Sequence, residues 1–182
     1  MNSSRHHNPL QAHLLQMARY GHWATERLFA VVNRLSDDAY HRDIGLFFKS
    51  VHGTLNHLLV TELELWQRRF QQGESRSLAL DAELEPQRTR LRQRLLDGMA
   101  AWVPWVEALD PARLDGRLDY VNTEGKPMSV PFAATLAHVF NHGTHHRGQA
   151  SAGLTVLGQQ APVMDLLWML REQAAGAAGA LR

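Results

Sequence analysis

Residues 132–157, FAATLAHVFNHGTHHRGQASAGLTVL, have the apolar spacing of one long α-helix. On a helical wheel of about 100° per residue, the apolar and small residues fall in an arc of about 60°. These residues are Phe132, Leu136, Val139, Gly143, Ala150, Leu154 and Leu157. Pro131 is tolerated in the first turn of a helix, and Gly158 is a natural stop. The stretch is therefore predicted to be a core helix with one buried face.

Three stretches upstream have the same three- and four-residue spacing of apolar positions. They cover about residues 9–35, 46–70 and 84–109, and the segments SDDAYHRD and QQGESRS separate them. Pro104 should kink the last turns of the third stretch, because proline removes a helical hydrogen bond. Together with residues 132–157, these stretches predict four long helices.

Two shorter elements complete the predicted fold. In the long connection after Pro111, RLDYVNTEGKPMSV (117–130) places two β-type runs around a Glu124-Gly125 turn, which is the pattern of a small hairpin. MDLLWMLREQ (164–173) predicts a short fifth helix. The predicted fold class is all-α: a four-helix bundle with a long crossover that carries a small hairpin, and a short C-terminal fifth helix.

The composition is that of one ordinary globular domain. The chain has 182 residues, of which 45% are hydrophobic and 20% charged, so we expect a single helical domain at 1–175 and a frayed tail at 176–182. Lysine plus arginine (19) nearly balances aspartate plus glutamate (18), which argues against a nucleic-acid partner. No run approaches the roughly 20 apolar residues of a membrane span, and the start lacks the apolar core of a secretory signal. We therefore expect a cytoplasmic protein without a membrane partner.

Four histidines, at 138, 142, 145 and 146, lie within the fourth predicted helix of a chain that has no cysteine. Any metal must then be bound by nitrogen and oxygen. Helix positions three or four apart share a face, so His142 could pair with any of the other three. On the wheel, His146 borders the apolar arc and His142 lies about 40° further round, whereas His138 and His145 turn away. We predict His142 and His146 as the inward pair; the alternative is surface or interhelical histidines that make ordinary hydrogen bonds.

A third ligand should come from a neighbouring helix, and SVHGTLNHLL (50–59) offers His52 and His57. His52 falls toward Leu59 and Leu63 on the wheel, so it could equally be a core histidine. His57 faces a strip of small residues that could line a cavity or mark a close approach of two helices. Periodicity leaves the choice between them open.

These segments resemble the DinB/YfiT-like family of metalloenzymes, which is distinct from the DNA polymerase of the same name. The resemblance rests on SVHGTLNHLL with the following Trp66, on NHGTHHRGQ (141–149), and on the early RYGHWATERLF (19–29). With DLLWMLRE (165–172) it covers nearly the whole chain. It implies a four-helix bundle with a metal centre of three histidines.

Carried onto this chain, the resemblance implies His57, His142 and His146 as the metal ligands. It also implies nickel or zinc, frequent homodimers, and a small-molecule substrate. Characterised relatives perform transfer or isomerisation chemistry with a low-molecular-weight thiol such as bacillithiol or mycothiol, although many members have no known reaction.

Three neutral imidazoles leave at least one coordination position open, which is the mark of a catalytic metal site. Our leading hypothesis is a metal-dependent transferase that uses a small thiol, with substrate entering near the hairpin. The rivals are a metal-hydroxide hydrolase and a non-catalytic, stress-associated metal-binding bundle. Further residues that could contact a ligand or a substrate, or transfer protons, are His52, His138, His145 and Gln149. Arg147 could form a local salt bridge or lie near an anionic substrate, and we favour the salt bridge. The tryptophans are interpreted as core or interface anchors rather than as a substrate cage.

Overall fold

The computed structural model describes residues 8–179, and four long helices form its core. Helix α1 is Pro9–Val32, α4 is Arg88–Ala108 and α5 is Phe132–Val156. Helix α3 runs without a break from Val51 to Gln72 in three parts, namely an α-helical part Val51–Leu58, a π-helical part Leu59–Gln67 and an α-helical part Arg68–Gln72. Helix α1 packs on α4 and α5, and α3 packs on α5. The predicted all-α bundle is confirmed.

Local side-chain contacts fix where these helices begin and end. The Asn8 side chain accepts hydrogen bonds from the backbone N–H groups of Leu10 and Gln11, and so satisfies donors at the start of α1. Ser50 caps α3 in the same way by accepting from the Gly53 N–H. Gly73 ends α3 with a φ of 70°, a conformation that glycine adopts without steric cost.

Residues 36–50 differ from the prediction, because the SDDAYHRD segment is not merely a polar break. It contains a short helix, α2 (Asp37–His41), which Ser36 caps and which buries Tyr40. Helix α3 then begins at Val51 rather than near Leu46. Between the two helices lies what we call the Phe48 turn (residues 44–50), closed by hydrogen bonds between Ile44 and Lys49 and between Lys49 and Leu46.

The third long helix also begins later than predicted, at Arg88 instead of near Leu84. Pro86 disfavours helical geometry in the residue before it. The Asn56 side chain, moreover, makes hydrogen bonds of 2.9 and 3.1 Å to the backbone N–H and C=O of Glu85. The connection 73–87 therefore lies along α3 instead of extending α4.

The crossover has the predicted hairpin. After a 3₁₀ turn at Pro111–Asp115, strands β1 (Arg117–Val121) and β2 (Pro127–Pro131) pair antiparallel, with Leu118 opposite Val130. Gly125 takes a φ of 80° in the turn. The hairpin contacts α5 and brings Tyr120 within 5.4 Å of the Trp66 ring.

The last helix, α6 (Leu166–Gly179), continues past Gln173, where the prediction ended it. Part of the predicted tail at 176–182 is thus helical, and its last three residues lie outside the described residues. Within residues 8–179, no helix is both long and apolar enough to cross a membrane.

Aromatic packing sets the spacing of the helices that carry the candidate site. Trp102 on α4 is 1% exposed, and its ring contacts Phe70 on α3 and Phe140 on α5 at centroid distances of 6.0 and 5.7 Å. Both contacts are edge-to-face, the arrangement that aromatic quadrupoles favour. This packing holds α3 and α5 side by side.

Candidate metal centre

Three histidines converge between α3 and α5. His142 and His146 lie one turn apart on α5, and His57 faces them from α3. The Nε2 atom of His146 is 3.1 Å from the Nε2 atoms of both His57 and His142. A ligand nitrogen from each of the three lies within 4.8 Å of the other two. The group could therefore hold one metal ion.

Hydrogen bonds on the far side of two rings fix where their protons are. The His57 Nδ1 is 2.7 Å from the backbone oxygen of Leu80, and the His146 Nδ1 is 2.7 Å from the side-chain oxygen of Gln149. Both oxygens can only accept, so each Nδ1 carries the proton and each Nε2 presents a lone pair. Bonds of this kind orient metal-ligating imidazoles.

The two Nε2 lone pairs of His57 and His146 thus face each other at 3.1 Å, where neither can donate. Two acceptors at this distance repel unless a cation lies between them. Two bonds of about 2.0–2.1 Å, the usual length for imidazole nitrogen on zinc, can reach one ion from nitrogens this far apart. The donor set therefore fits a divalent metal ion.

The electrostatic surroundings keep these imidazoles neutral, as ligation requires. Burial lowers the pKa of His142 to about 3, and the neighbouring imidazoles of His146 and His57 add to the effect. The pKa of His146 falls to about 4, mainly through burial. Burial also lowers the pKa of His57, against the opposing effect of its hydrogen bond to Leu80.

The Phe48 turn covers one side of the group. The Phe48 ring stacks on the His57 ring at a centroid distance of 3.8 Å and meets His146 edge-on at 5.7 Å. Gly53 makes this position possible, because a Cβ atom at Gly53 would overlap the Phe48 carbonyl oxygen. Lys49 adopts a φ of 66°, which is uncommon for a residue with a side chain.

His52, the other histidine of α3 that periodicity left open, lies outside this group. Its Nε2 is 2.6 Å from a carboxylate oxygen of Glu83, and its ring is 4.4 Å from His41 and 5.0 Å from Tyr40 between centroids. Burial lowers the pKa of His52, whereas the hydrogen bond to Glu83 raises it. The geometry thus favours His57 over His52 as the third nitrogen donor.

The remaining candidates lie around the group. His138 and His145 are exposed, with ring centroids 5.6 Å from His142 and 4.9 Å from His146 respectively. Gln149 orients His146 through the hydrogen bond described above.

Glu62, which the sequence analysis did not single out, lies with Arg147 in the bundle interior. Their side chains are each 2% exposed and 3.7 Å apart. Burial raises the pKa of Glu62 to about 7 against the opposing charge of Arg147. The sequence contains only a weak signal for Glu62, which is one of two acids in the otherwise mostly apolar run LLVTELEL (58–65). Gly143 leaves the space for its carboxylate. Arg147 thus has the salt-bridge partner that we favoured, and this partner lies on a neighbouring helix.

The fold and the site together define a helical bundle in which three imidazoles, two of them buried, converge from two helices and could hold a metal ion with nitrogen donors alone. This chain belongs to the DinB family, whose model matches residues 5–177. It is also similar to Protein DinB of Bacillus subtilis (strain 168), with 26% identity over 156 residues that cover 82% of this chain and 89% of the relative. No solved structure matches the chain. The resemblance inferred from the histidine segments is confirmed.

Proposed function

We propose that this protein is a metal-dependent transferase that acts with a low-molecular-weight thiol. Nickel or zinc would be held by His57, His142 and His146. The observation that carries the proposal is the pair of unprotonated Nε2 atoms 3.1 Å apart, with a third imidazole nitrogen beside them. Such a donor set leaves room for a further metal ligand.

A divalent ion held by these histidines would supply Lewis acidity, which would lower the pKa of a bound thiol. In the transfer, the sulfur forms a bond to an electrophilic carbon, the leaving group departs with its bonding electron pair, and the thiol proton passes to solvent. The chain's own contribution is to fix the imidazoles. Leu80 and Gln149 hold two of them by their Nδ1 protons, and Phe48 excludes water from the side it covers.

Elemental analysis of purified protein tests the metal centre. We expect about one metal ion per chain in the parent and a sharp loss in His142→Ala and in His146→Ala. His145→Ala is the matched control, because this exposed histidine lies beside His146 without facing the group. Absence of metal from the parent, or equal metal in all four proteins, contradicts the proposal.

A screen of small thiols against electrophiles, read by mass spectrometry, tests the reaction. We expect a thioether product that disappears in His142→Ala and His146→Ala. A hydrolysed product formed without thiol would instead indicate a metal-hydroxide hydrolase. No turnover, combined with a large drop in melting temperature on chelation, would indicate a structural ion and a non-catalytic protein.

The homodimer implied by the family resemblance remains a prediction. Sedimentation equilibrium of the metal-loaded protein checks it, and a mass of about one chain at all concentrations would contradict it.

A further inference from the structure

A cleft lies between α3, the hairpin and the start of α5. Its volume is about 380 Å³, which falls within the about 300–1,000 Å³ typical of small-ligand sites. Trp66 from α3 and Tyr120 from β1 supply aromatic walls, Val130 and Pro131 supply apolar ones, and His138 from α5 also lines the cleft. The lining is therefore mostly apolar, with one imidazole.

The aromatic walls are held firmly in place. The Trp66 and Tyr120 rings meet edge-on with centroids 5.4 Å apart. The guanidinium carbon of Arg69 lies 4.7 Å from the Trp66 ring centroid and 4.4 Å from that of Tyr120. Because Arg69 is only 5% exposed, this cation is fixed against both rings and stabilises their positions. The cleft is thus built before any ligand arrives.

His138 links this cleft to the candidate metal centre. Its ring is 5.8 Å from Trp66 on one side and 5.6 Å from the ligand His142 on the other, measured between centroids. Its imidazole is exposed and makes no hydrogen bond to any residue in 8–179. A molecule lying on the Trp66 wall would therefore end beside His142, with His138 free to hydrogen-bond to it.

We propose that this cleft binds the electrophile of the transfer reaction, and that this electrophile is a planar aromatic compound of one or two rings. The ring packs against Trp66 and Tyr120, and a polar substituent points to His138. The assignment rests on the proposed function, because it gives the metal centre a second substrate. It also distinguishes Trp66 from the other tryptophans, which have no comparable position next to the histidines.

Isothermal titration calorimetry of naphthol into the metal-loaded protein tests the cleft without any turnover. We expect Trp66→Leu to weaken binding by on the order of tenfold, as loss of an aromatic contact and its buried area predicts. Trp168→Leu is the matched control, since Trp168 is 40% exposed on α6, and it should stay within about twofold of the parent. Trp66→Phe keeps a ring at the site and should recover most of the affinity if the leucine variant is poorly folded. Equal affinity in parent and Trp66→Leu, or no binding to the parent, overturns the proposal that the cleft binds an aromatic compound.

Kinetics separate the cleft from the thiol chemistry. With Trp66→Leu, we expect KM for chlorodinitrobenzene to rise while KM for the aliphatic iodoacetamide and the metal content stay unchanged. Binding of naphthol that depends on Trp66, without any thiol transfer, supports the aromatic binding site and contradicts the proposed transferase activity. Thiol transfer in which both KM values respond equally to Trp66→Leu keeps the transferase and overturns the aromatic specificity.

Discussion

His52 and His57 are both buried on α3, at 6% and 3% exposure, yet the groups opposite their Nε2 atoms differ in chemistry. The Nε2 of His52 meets the carboxylate of Glu83, which is the natural acceptor for its proton. The Nε2 of His57 meets another unprotonated nitrogen. The Nε2 of His52 thus has an acceptor for a proton, whereas the Nε2 of His57 needs a cation opposite it. What faces a buried imidazole, more than its spacing in the sequence, therefore tells whether it can serve as a metal ligand.

The largest effect is expected when His52 and His57 are removed in turn. His57→Ala removes one of three nitrogen donors, and we expect metal affinity to fall by more than about 100-fold, beyond the 10–100-fold typical of a lost supporting hydrogen bond. His52→Ala should leave the metal content unchanged and lower the free energy of unfolding by about 1–3 kcal/mol, through a small cavity and a lost hydrogen bond. Elemental analysis and competition with a chromophoric chelator measure the first quantity, and urea unfolding measures the second. Similar metal loss in both variants would mean that His52 also contributes to the metal centre.

The support behind the ligands offers the next test. Gln149→Ala removes the acceptor that holds the His146 Nδ1 proton, and we expect metal affinity to fall by about 10–100-fold. Asn141→Ala is the control, because Asn141 is exposed on the same helix. Chelator competition gives both constants. An unchanged affinity in Gln149→Ala would mean that this hydrogen bond does not prepare the imidazole for the ion.

The same contrast explains which parts of the site could be predicted from the sequence. His142 and His146 lie on one helix, so the wheel, a purely local device, could place them on the same side. The third ligand depends on how α3 is turned toward α5. From Val51 to Leu63 nearly every residue of α3 is buried, so there is no polar face to define its orientation. Only the resemblance could choose His57 over His52 before the structure did.

The long helices could be predicted because their apolar spacing is a local property. Helix α2 could not be predicted, because its sequence is mostly polar although one of its residues belongs to the core. Tyr40 is 0% exposed, and Arg88 from a distant part of the chain lies 4.3 Å from its ring centroid. A salt bridge of Arg147 could be expected, but its partner Glu62 could not be predicted for the same reason. A partner 85 positions away (147 minus 62) leaves no local pattern in the sequence.

Gly53, between the two histidines on α3, gives a third test. Gly53→Ala forces the Phe48 carbonyl away and should unseat the ring that stacks on His57, at a cost of about 1–3 kcal/mol in the free energy of unfolding, as overpacking typically has. Gly148→Ala on α5 meets no neighbouring atom, so we expect it to stabilise the protein by about 0.5–1 kcal/mol through helix propensity. Chemical unfolding of both variants makes the comparison. Stabilisation by Gly53→Ala would show that the Phe48 turn is free to move.

The smallest expected effect comes from Glu83→Gln, which keeps the shape of the side chain but removes its charge. Because Glu83 is 56% exposed, solvent screens its interaction with His52, and we expect a loss of only about 1 kcal/mol in the free energy of unfolding. The connection 73–87 also carries Leu80, whose carbonyl orients His57. This variant therefore tests whether the pair of His52 and Glu83 is coupled to the candidate metal centre through the connection. If Asn56 alone fixes that connection through Glu85, metal affinity should change by less than about twofold, within the scatter expected of independent sites. A fall in metal affinity as large as that in Gln149→Ala would show that His52 and Glu83 act on the metal centre through the connection. His52 and His57 would then belong to one functional site.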